Sequence, residues 1–161
     1  MEHSVYLSLG SNINPRENIP QALKLLHSTT SLLKVSSAWC SKAVGTPGPD
    51  FVNLAVLLQT KYTMEELKDR VLCSIEDQLG RKRTSDKFAP RTIDLDIILF
   101  DGELMDENLA HHAYLILPFS ELLPAYIPPG CERSLQEMAQ DLEKSASARK
   151  ISDFPLNESS W

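Results

Sequence analysis

The sequence has no surplus of positive charge, no paired-cysteine spacing and no long apolar run, and each absence removes a class of protein. Sixteen Lys and Arg stand against 22 Asp and Glu, a formal net charge of −6. That is the wrong sign for a general nucleic-acid binder, which normally shows a basic surface, although it leaves room for a local basic pocket. The three cysteines, Cys40, Cys73 and Cys131, are odd in number and none sits in a C-x-x-C pair. They read as reduced intracellular thiols, neither a disulfide framework nor a zinc site. Met1-Glu2-His3 opens without a basic leader, and no apolar stretch nears the ~18 residues of a membrane span. A cytoplasmic protein with neither nucleic-acid nor membrane partners is expected. Gly10-Ser11-Asn12 lacks the second Gly and the Lys-Ser/Thr pair of a Walker loop. There is no internal repeat or low-complexity segment. At 161 residues the expected organisation is one domain over 1–161, with the polar stretch 144–161 a loosely packed tail.

What is present centres on Pro90-Arg91-Thr92-Ile93-Asp94-Leu95-Asp96-Ile97-Ile98-Leu99-Phe100. Ile93, Leu95, Ile97 and Leu99 share one parity and Asp94 and Asp96 the other, the mark of a half-buried strand. Side chains alternate between faces, so both carboxylates leave one face about 7 Å apart. Neighbouring anions repel, and a hard divalent cation such as Mg²⁺, held by carboxylates and phosphate oxygens, would relieve that repulsion. Just upstream, Arg81, Lys82, Arg83, Lys87 and Arg91 put five cations within eleven positions. Guanidinium forks match phosphate oxygens. Alone, Asp-x-Asp on a strand is more often a solvated face, and a cationic loop a charged turn. Together, in that order, they are what metal-assisted phosphoryl transfer needs. A metal-binding or regulatory module would explain the carboxylates and leave the five cations without a role.

The flanking chain supplies the frame. Val5, Leu7 and Leu9 alternate with Tyr6 and Ser8 in a first strand, Ser4 to Leu9, which turns at Gly10-Ser11-Asn12. Asn14 as cap and Pro15 at the first helical position open a helix to about His27, with Ile19, Leu23 and Leu26 as its apolar stripe. Ser31 to Cys40 reads as a second strand, with Leu33, Val35, Ser37 and Trp39 on one parity. Ser41 to Asp50, rich in Gly and Pro, is a loop, and Phe51 to Gln59 is a third strand. Phe51 and Asn53 share a face, a ring beside an amide able to read a heterocycle's donors and acceptors; core packing is equally open for Phe51. Thr63-Met64-Glu65-Glu66 is a capping box opening a second helix that Gly80 stops. Asp101-Gly102 turns the carboxylate strand into a short strand, Glu103 to Met105. Leu115 to Leu123 is a short helix, and Ser134-Leu135-Gln136-Glu137 opens a last one. Strand-helix-strand-strand-helix-strand is the ferredoxin-like order. The expected class is α+β: a ferredoxin-like βαββαβ antiparallel sheet with helices on one face, plus a C-terminal helical extension.

Gly80-Arg81, Arg83 and Pro90-Arg91-Thr92-Ile93-Asp94-Leu95-Asp96-Ile97 resemble the signature of the 6-hydroxymethyl-7,8-dihydropterin pyrophosphokinases, enzymes of folate synthesis. The likeness extends to Tyr6-Leu7-Ser8-Leu9-Gly10-Ser11-Asn12 and Phe51-Val52-Asn53, and covers the chain to about Pro124. The resemblance implies a transferase that moves pyrophosphate from ATP to the hydroxymethyl group of a reduced pterin and releases AMP. It implies small-molecule substrates, ATP as co-substrate, a monomer, and two Mg²⁺ ions on Asp94 and Asp96. Catalytic roles fall by resemblance on Arg81, Arg91, Asp94, Asp96 and His112. The implied ATP site comprises Glu76, Arg81, Arg83, Arg91, Ile97 and His111; the implied pterin site comprises Ser41, Val44, Phe51, Asn53, Asp94 and Tyr114. Leu109 to Leu115 departs from the family pattern, because the loop is short and His112 stands where the family has an arginine. An imidazole offers fewer donors than a guanidinium fork, so slower transfer is expected. The alternative expectation is a catalytically weakened pterin- or nucleotide-binding homologue of the same fold.

Overall fold

A computed structural model of the chain describes residues 2–41, 50–80, 92–145 and 148–156. In chain order the elements are β1 (His3–Ser11), α1 (Pro15–Thr29), β2 (Ser31–Val35), β3 (Ala38–Ser41) and β4 (Phe51–Thr60). A helix, α2, follows in three consecutive stretches, Met64–Glu66, Leu67–Leu72 and Cys73–Gln78, the middle one π-helical. Then come β5 (Asp94–Phe100), β6 (Glu103–Leu104), α3 (Ala113–Leu122), α4 (Leu135–Ser145) and β7 (Ala148–Ile151). The strands form one sheet in the order β6-β5-β1-β4-β3-β7, with β2 also paired to β4, and every pairing is antiparallel. The βαββαβ core is ferredoxin-like.

Alternation along the strands sorts side chains onto two faces. One face carries Val5, Leu7 and Leu9 of β1, Val52, Leu54, Val56 and Leu58 of β4, Leu95 of β5 and Ile93 just before it. The stripes of α1 (Ile19, Ala22, Leu23, Leu26) and α2 (Leu67, Val71, Leu72, Ile75) cover it. The other face is covered only in part. There α3 lies over β3 and β4 and packs on α4, enclosing Trp39, Ala55, Ile98, Leu99 and Phe119. The core helices thus share one face as expected, and the C-terminal extension roofs part of the other.

Both capping boxes form. Thr63 Oγ1 accepts from Glu66 N–H at 3.2 Å while Glu66 Oε1 accepts from Thr63 N–H at 3.3 Å, and Ser134 and Glu137 exchange the same two bonds. Asp101 and Gly102, at φ 50° and 85°, make the tight hairpin turn.

Five local expectations are corrected. Asn14 stands before α1 at φ 43° with no side-chain cap bond; its carbonyl instead accepts from the N–H groups of Glu17 and Asn18. The single strand expected over 31–40 divides at Ser36-Ser37, where Ser36 Oγ accepts from Ala55 N–H at 2.8 Å. The register slips between Leu32 and Lys34, so Leu33 is 50% exposed while Trp39 is buried. In β5, Leu7 faces Ile97 and Tyr6 faces Leu99, making Ile98 an extra residue. That bulge moves Leu99 from the face of Ile93 and Leu95 to the other core. Gly10-Ser11 is no turn: both residues pair within β1. Within 148–156 the tail is not loose. β7 pairs along β3, Phe154 and Leu156 pack on the first core, and the Arg16 guanidinium lies 5.6 Å from the Phe154 ring centroid.

Candidate functional site

The open part of the second face is built from two rows of residues running across the strands. Gly10 of β1 pairs with Asp94 on one side and Asn53 on the other, and Asn53 pairs in turn with Trp39. In the next row, Ser8 lies between Asp96 and Ala55. With strands ~4.8 Å apart, Asp94 and Asn53 stand about 10 Å from each other across a bare glycine. Asp94 is half-buried and Asp96 exposed. Asn53 is 6% exposed and its Oδ1 has no hydrogen-bond partner, although a buried amide oxygen normally has one. Phe51 is half-buried at the start of β4 and pairs with Ser41, the last residue of β3.

Glu76 shapes this site from behind. It is 3% exposed on α2, and its Oε2 accepts from Leu95 N–H at 2.9 Å. Leu95 lies between the two aspartates, and among the described residues β6 pairs with Leu99 and Phe100. A hydrogen bond from the helix therefore holds the carboxylate-bearing end of β5, beyond the stretch that pairs with β6 among the described residues.

Glu121 performs a comparable service for α3. Its Oε1 accepts from Ser37 N–H at 3.2 Å and Ser37 Oγ–H at 2.9 Å, and its Oε2 from Trp39 Nε1–H at 2.7 Å. This ties α3 to the strand that flanks Asn53. Tyr114 sits half-buried on the first turn of that helix. The His112 ring stacks on it with centroids 5.1 Å apart and planes 21° apart, and the His112 carbonyl oxygen accepts from the N–H groups of Leu115 and Ile116. His111 ends the preceding 3-10 turn, its N–H donating to Asn108 O. Ile97 is half-buried and packs toward the helix-covered core. Arg81, Arg83, Arg91 and Val44 lie outside the described residues.

Sequence reasoning thus anticipated Asp94, Asp96, Phe51 and Asn53 on one face, and the structure places them there. It missed Gly10, whose signal was its parity with Ser8, and the Glu121 clamp, which had no signal because 82 residues separate Glu121 from Trp39. Cys40 lies beside the site, and burial first, then Asp50, pushes its thiol up, away from the thiolate form. All three cysteines are free. No helix among the described residues is long and apolar enough to cross a membrane.

The family model for 7,8-dihydro-6-hydroxymethylpterin-pyrophosphokinase (HPPK) matches residues 6–124. The chain belongs to the HPPK family. It is 34% identical over 152 residues to the Bacillus subtilis 2-amino-4-hydroxy-6-hydroxymethyldihydropteridine pyrophosphokinase, covering 92% of this chain and 85% of the relative. It is 35% identical over 136 residues to the Pseudomonas aeruginosa protein of the same name, covering 77% and 83%. In fold it is similar to Plasmodium falciparum HPPK-DHPS A437G, with TM-score 0.73 at 11% identity over 94% of this chain; it spans 49% of that longer chain. The HPPK match begins within β1 and runs through the rest of the βαββαβ core and α3, whereas α4 and β7 lie beyond it.

Proposed function

We propose that this face transfers the pyrophosphoryl group of ATP to the hydroxymethyl oxygen of 6-hydroxymethyl-7,8-dihydropterin, the folate-pathway reaction named for its HPPK relatives. The hydroxymethyl oxygen attacks the β-phosphorus, the bond from that phosphorus to the α–β bridging oxygen breaks, AMP leaves, and the hydroxyl proton is lost. Little covalent work is asked of the protein, so positioning and charge neutralisation carry the catalysis.

The observation that carries this reading is the row Asp94–Gly10–Asn53. It sets the backbone of Asp94 about 10 Å from that of Asn53, whose amide oxygen is buried and unpartnered. The amide oxygen would accept an N–H of the pterin, Phe51 and Tyr114 would flank the ring, and Ser41 and Val44 would complete the pocket. Asp94 and Asp96 fit a hard cation, because carboxylate oxygen is the donor it takes. Among the described residues no group of three or more His, Cys, Asp or Glu could hold a metal, so phosphate oxygens and water would complete the coordination of the two ions. Bound Mg²⁺ would neutralise phosphate charge and make the acceptor hydroxyl easier to deprotonate. Arg81, Arg83 and Arg91 would grip the phosphates from the opposite side, with His111 and His112 adding imidazole donors. Glu76 would act through β5, and Ile97 would border the nucleotide. The free thiols support a reducing cytoplasmic setting.

The test is AMP release from ATP on adding 6-hydroxymethyl-7,8-dihydropterin, with and without Mg²⁺. Pterin-dependent AMP supports the reading. ATP binding without AMP release would leave the weakened binding homologue in its place.

A further inference from the structure

Gly10 lies inside a strand, where glycine is disfavoured against alanine because it loses more backbone freedom on folding. The positive-φ glycines of the described chain are Gly80, Gly102 and Gly130, so no left-handed backbone explains a glycine at position 10. Its surroundings do. A Cβ built there would stand 2.7 Å from Asn53 Nδ2, 3.7 Å from Asn53 Cγ and 4.0 Å from Phe51 Cδ1. The first distance is a collision and the last an ordinary contact.

We propose that Gly10 is a positioning residue for substrate recognition: its missing side chain lets the Asn53 carboxamide lie over β1, leaving Oδ1 for an N–H donor of the heterocycle. This rests on the pterin reading of the site and adds the residue that sets the amide's orientation. The colliding atom is the far end of a side chain with two rotatable bonds, not backbone, so a methyl at position 10 is relieved by turning the amide. The fold keeps its stability, since alanine also suits the strand better, and recognition is weakened. Asp94, paired to Gly10 on the other side, has no such contact with the added methyl.

The test is Gly10→Ala, read by steady-state AMP release and by calorimetric pterin binding in the presence of a non-hydrolysable ATP analogue. Leaving the heterocycle's N–H and the amide mismatched should raise pterin KM and Kd on the order of tenfold. The same variant should change kcat and ATP KM by less than about threefold, because the lost contact holds the pterin equally in the ground and transition states. In an Asn53→Ala background the Gly10→Ala change should add nothing, since its effect passes through the amide. Unchanged pterin affinity, an equal loss for ATP, or additivity with Asn53→Ala overturns the proposal. If Gly10→Ala alone fails to fold, the double variant decides. A folded double variant with the pterin affinity of Asn53→Ala supports the steric link, and a second failure places the clash elsewhere and overturns it. Pterin binding by the wild type without AMP release would sink the assigned reaction while the affinity ratio still judged Gly10. A wild type that binds no pterin would overturn both.

Discussion

The two faces of the sheet are made from the same strands and obey different rules. On β4, Leu54 points into the helix-covered face and is fully buried, while its neighbour Asn53 points to the other face with an unpartnered oxygen. On β1 the covered face reads Val5, Leu7, Leu9 and the site face Tyr6, Ser8, Gly10. Aliphatic volume fills the first, where close packing rewards every methylene. Ser8 and Gly10 leave room at the open end of the second, where the Asn53 amide oxygen is unpartnered. The folding information and the chemical information of this chain are interleaved one residue at a time. Substitutions of alternate residues should therefore affect different properties.

The largest effect should come from Asp96→Ala. An exposed carboxylate on the site face adds nothing to either core, so the melting temperature should hold. Transfer should fall on the order of 10³-fold, as when a group that stabilises transition-state charge is removed. Thermal melting beside an AMP-release assay checks both halves. A collapse in melting temperature with activity retained would make the aspartate structural.

Leu54→Ala should do the reverse, at a cost of about 2–5 kcal/mol from lost transfer energy and the cavity left behind. Denaturant unfolding measures it, and pterin KM per folded molecule should stay at the wild-type value. A raised KM would show that the two faces are not independent.

Glu76 tests the link between them. Glu76→Gln keeps an acceptor for Leu95 N–H and should be nearly silent in unfolding experiments. Glu76→Ala leaves that buried N–H unpaired and should cost roughly 1–3 kcal/mol. If the carboxylate also steadies the end of β5, Glu76→Ala should lower kcat several-fold while Glu76→Gln restores most of it. Equal kcat in the two variants would confine Glu76 to stability.

How much of this was legible from sequence follows from how local each signal is. The alternation of Ile93-Asp94-Leu95-Asp96 is a period-two pattern within one strand, so the carboxylate face could be read directly. The capping boxes at Thr63 and Ser134 are complete within four residues. The bulge at Ile98, by contrast, depends on how β5 meets β1, and an unbroken apolar run from Ile97 to Phe100 carries no mark of where the parity changes. Trp39 and Leu33 were given one face because nothing local shows the slip near Leu32 or the bonds from Ser36 to β4. Gly10 looked like a turn because glycine usually is one, and its purpose resides in Asn53, 43 positions later by residue number. The contributions of residues 148–156 depend wholly on β3 and α1, which their own polar composition does not advertise.

The smallest effect is expected at the end of β1 farthest from Gly10. Asp101, in the β5–β6 turn, takes His3 Nδ1 at 2.6 Å and Ser4 N–H at 2.9 Å, while its own N–H donates to Ser4 O. The His3 hydrogen bond first, then that of Ser4, holds the Asp101 carboxyl below its usual value. A carboxyl depressed on folding binds fewer protons in the native state than in the unfolded one. Its contribution is thus fully present above the ordinary aspartate value of about 3.9 and fades as pH falls through the lower folded value. Asp101 also sits at φ 50°, a conformation asparagine tolerates, so Asp101→Asn removes the charge without straining the turn. Melting curves of wild type and variant should differ slightly at neutral pH and converge at acid pH, where the wild-type carboxyl is protonated. Pterin KM should be the same in both, because Val5 and Phe100 pair at this end while Gly10 and Asp94 pair at the other. A melting gap that persists unchanged into strong acid would mean that the clamp works through shape, and the linkage argument would fail.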